Sequence, residues 1–158
     1  MPSSSDAAPI EHSNIGEILH HIPHRYPFLL IDRVVACEPN RFVRVTKNVT
    51  RTDWFLQGRT PAVMPQLLVV EALAQAAGVL CHYSGMMSRI GKSIIFFAAI
   101  ENGRFDRDVA AGERLDLVCT LNQARRGVAK LSAAATVDDA IVVEAQLTAV
   151  VRDVDFAA

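Results

Sequence analysis

Residues 66–84 read QLLVVEALAQAAGVLCHYS, a run with Leu, Val, Ala or Gly on nearly every helical face and no proline. Such a run is expected to be a helix, and a helix that is apolar all round has to be buried all round. Two polar residues interrupt it. Glu71 and Gln75 stand four apart, on one face, where the amide can orient the carboxylate. Buried acids are usually paired, so one reading is a structural pair satisfied by backbone groups. The other is a general acid or base tuned by desolvation.

A single buried helix needs a cover, and the flanking sequence supplies strands. Upstream lie FLLIDRVVACE (28–38) and RFVRVTKNVT (41–50), separated by the turn residues PN. Downstream come SIIFFAAIENGRF (93–105), ERLDLVCTLNQA (113–124), VAKLSAAATVDD (128–139) and AIVVEAQLTAVVRD (140–153), with Gly or Asp punctuating them. In the last run Ile141, Val143, Ala145, Leu147, Ala149 and Val151 alternate with the other residues and are expected to form one apolar face. Near the start, Ser13 or Asn14 can cap a short helix carrying Ile15, Ile18, Leu19 and Ile22, which Pro23 stops.

Two strands, one buried helix and four more strands make an α+β pattern: an antiparallel sheet curled around the helix, the hot-dog arrangement. Residues 1–9, rich in Ser, Ala and Pro, are expected to be a disordered leader, and residues 10–158 a single domain. A curled sheet leaves edge strands unpaired and covers its helix incompletely. Edge-to-edge pairing of two copies answers both needs, so at least a dimer is expected, with a trimer of dimers as a higher form.

Composition narrows the function. The chain has 158 residues, 51% apolar and 21% charged, with a net charge of -1, which gives no bulk signature of nucleic-acid binding. Cys37, Cys81 and Cys119 are odd in number and widely spaced, which argues against a disulfide framework or a CxxC metal site. The five histidines lack HxH or HExxH spacing and the glycines are dispersed, so no metal, cofactor or nucleotide site is expected. MPSSSDAAPIEHSN has no basic start followed by an apolar run. Glu71 and Gln75 break the one candidate for a membrane span. A cytoplasmic protein is expected.

The helix begins in VMPQLL, where a Pro-containing turn leaves first-turn N–H groups free to polarise a carbonyl oxygen. Pro65, Gln66 and Leu67 are therefore candidate substrate-binding residues, with Glu71 and Gln75 as the candidate catalytic pair. Phe28, Leu29, Phe96, Phe97 and Ile100 supply apolar material for an acyl chain, and are equally suited to plain core. No other histidine is expected to serve Glu71. His82 stands eleven residues further on, roughly 16 Å along the helix axis, and His20, His21 and His24 reach it only through folding.

Five stretches in order, PHRYPFLLIDRV (23–34), KNVT (47–50), VMP (63–65), EALAQAAG (71–78) and RRG (125–127), resemble the FabA/FabZ-type 3-hydroxyacyl-acyl-carrier-protein dehydratases. The resemblance runs nearly end to end. It implies a hot-dog dimer in which the helix Glu, here Glu71, works with a loop His offered across the interface. It also implies a 3-hydroxyacyl or enoyl thioester as substrate, on an acyl carrier protein or coenzyme A, in acyl-chain synthesis. The family loop reads G-H-F-P-G-x-P-V-M-P-G, whereas this chain reads GRTPAVMPQ (58–66), with Arg59 in place of His, two residues fewer, and Gln66 in place of Gly.

Arginine stays protonated, so Arg59 can donate hydrogen bonds or bind an anion but cannot take an α-proton. Three functions follow as expectations. The first is a hydro-lyase that uses Glu71 and a second group. The second is a non-catalytic acyl-thioester-binding subunit, as a homodimer or paired with a His-bearing relative. The third is a thioesterase in which Glu71 activates water. An acidic carrier protein would meet basic residues, for which Arg59, Arg104, Arg107, Arg125 and Arg126 are candidates.

Overall fold

The computed structural model describes residues 10–87 and 93–153; the expected leader and the last five residues of the expected domain lie outside them. In chain order the elements are β1 (Ile10–Ser13), α1 (Ile15–Ile18), β2 (Arg33–Glu38), β3 (Phe42–Asn48), a 3-10 turn (Trp54–Leu56), β4 (Val63–Met64), α2 (Gln66–Tyr83), β5 (Ser93–Phe105), β6 (Val109–Ala110), β7 (Arg114–Arg125), β8 (Val128–Val137) and β9 (Ala140–Asp153). One antiparallel sheet runs β1-β2-β3-β7-β8-β9-β5, and β4 pairs with β6 in a short ladder. The sheet packs around α2 through β2, β3, β5, β7, β8 and β9. This is the hot-dog fold expected from the sequence.

Residues from Val69 to Cys81 of α2 are buried, Glu71 excepted, while Leu67 in the first turn is 75% exposed. By length and composition α2 would pass for a membrane span, with a hydropathy of 1.2, but its apolar faces are covered by the sheet. Leu73 and Leu80 from the helix meet Leu115, Leu117, Leu131 and Leu147 from β7, β8 and β9 in one cluster. Truncating any of these to Ala costs about 2–5 kcal/mol, because a close-packed core collapses only partly around the void. The helix ends where Gly85 takes φ +69°, allowing Met86 N to donate to Cys81 O at 3.0 Å.

The hairpin turns follow their residues. Arg126 and Gly127 (φ +51° and +77°) join β7 to β8, and Asp138 and Asp139 (φ +49° and +65°) join β8 to β9. Gly127 has no substitute, since a Cβ there would stand 2.9 Å from Val151 O. The first helix is shorter than the periodicity suggests. Asn14 caps it, accepting from Glu17 N at 3.2 Å while Glu17 Oε2 accepts from Asn14 N at 3.2 Å. Ile18 and Ile22 are buried; Ile15 is 45% exposed.

One register expectation fails. Ile141 is 38% exposed and Val142 fully buried, because Ala135 pairs with Val143 and its neighbour Thr136 with Ile141, leaving Val142 as an extra residue that puts the start of β9 out of alternation. From Val143 onward the expected face points inward. Cys37, Cys81 and Cys119 are free and buried. Burial pushes the Cys37 and Cys81 thiols up to about 12 and 11 and raises Cys119 further, so all three are inert thiols at neutral pH.

Candidate active site

Gln75 organises the site. Its side chain is 1% exposed and uses both amide hydrogens, donating from Nε2 to Phe28 O at 2.8 Å and to Glu71 Oε1 at 2.9 Å. Its Oε1 accepts from Leu30 N at 2.9 Å. One buried amide thus ties the segment 28–30 to α2 and fixes the carboxylate one turn up the helix. Further clamps hold the same segment. Arg25 donates to Leu19 O, Ile22 O and His24 O at 2.8–2.9 Å, and Trp54 Nε1 donates to Pro27 O at 2.6 Å.

Folding that segment over α2 brings His24 to Glu71, with Nε2 3.5 Å from Oε1. This corrects the expectation that no histidine of the chain accompanies Glu71. Sequence spacing says nothing of a contact between residues so far apart. The signal was indirect: a buried Gln on a helix must find backbone partners, and the residues it recruits carry His24 with them. Burial lowers the His24 pKa below 6.5; the Glu71 charge opposes this and Arg25 reinforces it, so the imidazole is neutral at pH 7. Its Nδ1 is buried without a hydrogen-bond partner among the described residues.

Glu71 and His24 share a recess of about 80 Å³, closed by Ile22, Gln75 and Gly78 and, from the other side, by Met87, Ile95 and Phe97. Gly78 opens its floor, since a Cβ there would lie 3.4 Å from Ile22 Cγ2. Larger clefts of about 330 and 430 Å³ lie on the sheet. Neither brings an acid and an imidazole together, so chemistry and not size selects the smaller recess. A half-buried carboxyl beside a neutral imidazole, with apolar walls, is equipped to move protons on a substrate that is itself largely apolar.

Of the other sequence candidates, Phe97 lines this recess, whereas Phe28 does not and serves only through its carbonyl, which accepts from Gln75. Pro65, Gln66, Leu67 and Arg59 do not line it. Pro65 caps α2, and its carbonyl closes onto Leu68 N and Val69 N at 2.8 and 3.3 Å, using two N–H groups of the first turn. Gln66 turns instead to Asp108, donating from Nε2 to Oδ1 at 3.1 Å. Arg59 is exposed, and its guanidinium makes no hydrogen bond or ion pair among the described residues. The loop beneath it is anchored by Arg51, which donates to Leu56 O and Arg59 O at 3.2 and 3.3 Å.

The arrangement of one helix acid inside a hot-dog sheet defines a class, and comparison with known proteins fixes the family. A family model described as FabA-like domain matches residues 22–146, and the chain belongs to that family. It is 45% identical over 141 residues to a 3-hydroxyacyl-[acyl-carrier-protein] dehydratase FabZ of Dichelobacter nodosus, covering 84% of this chain and 92% of the relative. Among solved structures, the dehydratase heterocomplex ApeI:P from Xenorhabdus doucetiae superposes with TM-score 0.75 at 17% identity, covering 88% of this chain and 91% of that one. A hypothetical thioesterase with coenzyme A from Streptococcus pneumoniae superposes with TM-score 0.59 at 13% identity, covering 73% and 81%. At such identities these two share the fold alone, and the fold by itself does not choose between their chemistries.

Proposed function

We propose that this protein is a hydro-lyase acting on 3-hydroxyacyl thioesters carried by an acyl carrier protein, in acyl-chain synthesis. The observation that carries the reading is Glu71, held by Gln75 in an apolar recess of a FabA-like chain whose relatives bear the dehydratase name. Glu71 supplies or removes the proton, Gln75 positions it, and Phe97 meets the acyl chain. The reading carries a cytoplasmic location with it.

The assembly proposed is a dimer through β5. That strand ends the sheet, with β9 as its one partner among the described strands, and it exposes Ile94, Phe96 and Ile100 at alternating positions. An open edge with a row of large apolar side chains favours a second copy. Arg59, Arg125 and Arg126 lie outside the ion pairs of the described residues, in contrast to Arg104 and Arg107, which are paired to Glu144 and Glu113. These free cations suit an acidic carrier protein.

The exposed Arg59 favours a second reading, a non-catalytic subunit that binds acyl thioesters beside a His-bearing relative. Incubating the purified chain with a 3-hydroxyacyl thioester and following the conjugated enoyl absorbance separates the two. Turnover that disappears in Glu71→Gln supports the hydro-lyase. A folded chain that binds the thioester without converting it supports the subunit.

A further inference from the structure

The recess beside Glu71 contains a second titratable side chain, and it comes from the segment that Gln75 pins down and not from the loop that carries Arg59. We infer that His24 is the imidazole partner of Glu71 within one chain: its Nε2 takes the proton from the carbon next to the thioester carbonyl while Glu71 protonates the leaving 3-hydroxyl. The inference rests on the hydro-lyase reading and gives that site its second group.

The geometry suits two reacting atoms on neighbouring carbons. Nε2 and Oε1 stand 3.5 Å apart, beyond an ordinary hydrogen bond of about 2.7–3.2 Å. The two groups therefore sit side by side and are not closed onto each other. Arg25 holds the His24 carbonyl at 2.8 Å, which keeps the ring from swinging away with its backbone. The buried, unpartnered Nδ1 leaves the tautomer unfixed by the protein, so the ring can carry its proton on Nδ1 and present the Nε2 lone pair. The charged groups around the ring are Glu71 from α2 and Arg25 from its own segment; β5 contributes the apolar Ile95 and Phe97. Burial keeps the imidazole neutral, as a base must be.

The step balances within the pair. It begins once Glu71 has taken up a proton from solvent, beside a neutral imidazole. The C2–H bond breaks and its proton goes to Nε2, while its electron pair forms the C2–C3 double bond. The C3–O bond breaks, and the oxygen leaves with the bonding pair and the Glu71 proton, as water. The pair is left as imidazolium and carboxylate. Passing the proton from Nε2 back to Oε1 restores it, with no further reactant.

The test uses the full-length protein with the 3-hydroxybutyryl thioester of N-acetylcysteamine, in wild type, His24→Asn, His24→Gln and Glu71→Gln. Rate and solvent-deuterium entry at C2 are both read. Both His24 variants are expected to lose about 10²-fold or more in kcat, with KM little changed, and to lose deuterium entry in parallel. A wild-type rate, or undiminished deuterium entry at C2, in either folded His24 variant overturns the inference. Those results with an inactive Glu71→Gln leave the hydro-lyase reading standing, whereas a wild type without turnover overturns the reading and the inference together.

Discussion

Gln75 Oε1 accepts a hydrogen bond from Leu30 N at 2.9 Å, and this contact between α2 and the segment leading into β2 sets the geometry of the site. The same amide holds Phe28 O and Glu71, so fold and site depend on one side chain. Replacing it with Leu keeps the volume but leaves a buried N–H and C=O without partners. Gln75→Leu is expected to cost about 2–4 kcal/mol, read as a lowered urea midpoint.

Arg59 gives the opposite expectation for stability. It is exposed and makes no side-chain bond among the described residues, so Arg59→Ala is expected to change stability by less than about 0.5 kcal/mol. A loss of 2 kcal/mol or more by denaturant titration would contradict the placement of its side chain.

The bulge in β9 at Val142 is testable by a pair of truncations. Val142→Ala empties a fully buried site and is expected to cost about 2 kcal/mol, more than Ile141→Ala at the exposed position. Strict alternation from the first residue of the strand would give the reverse order.

This pair also marks where the sequence is readable and where it is not. Strand runs punctuated by Gly and Asp place β5 at Ser93–Phe105 and β9 at Ala140–Asp153, as the structure has them, and an uncharged run without proline places α2. Period-2 reasoning fails at Ile141 because Val142 is an extra residue in β9, between the pairs Thr136–Ile141 and Ala135–Val143, and an apolar Val among apolar neighbours does not signal a bulge. His24 escapes for a related reason. Its place beside Glu71 is set by main-chain groups of Phe28 and Leu30, which bond alike whatever side chain they carry. Pro65, Gln66 and Leu67 were legible as a helix start; the recess opens further along the helix, at Glu71, Gln75 and Gly78.

Stability is expected to depend on pH through the histidines. His21, His24 and His82 all have pKa values lowered from 6.5, with burial the first cause in each. The unfolded chain binds these protons more readily, so stability is complete above 6.5 and declines as pH falls from there through the folded values. Glu113, whose carboxyl is lowered from 4.5 first by its hydrogen bond to Arg107, adds a separate loss in more acidic solution. Urea midpoints between about pH 2 and 8 read both, the histidine loss below 6.5 and the Glu113 loss below 4.5.

The β5 edge makes the assembly testable. Ile100 is 55% exposed on the open strand, and Ile100→Lys is expected to convert a dimer to a monomer in sedimentation without lowering monomer stability by more than about 1 kcal/mol. An unchanged sedimentation coefficient would assign the interface elsewhere.

The central claim is that Glu71 does proton chemistry on an acyl thioester, and hydration of a short enoyl thioester by the purified chain alone tests it most directly. Loss of the conjugated absorbance should proceed with wild type and slow by about 10²-fold or more in Glu71→Gln at little cost in stability, the nearly isosteric amide being unable to act as acid or base. Equal rates in the two proteins would remove Glu71 from the chemistry and contradict the account.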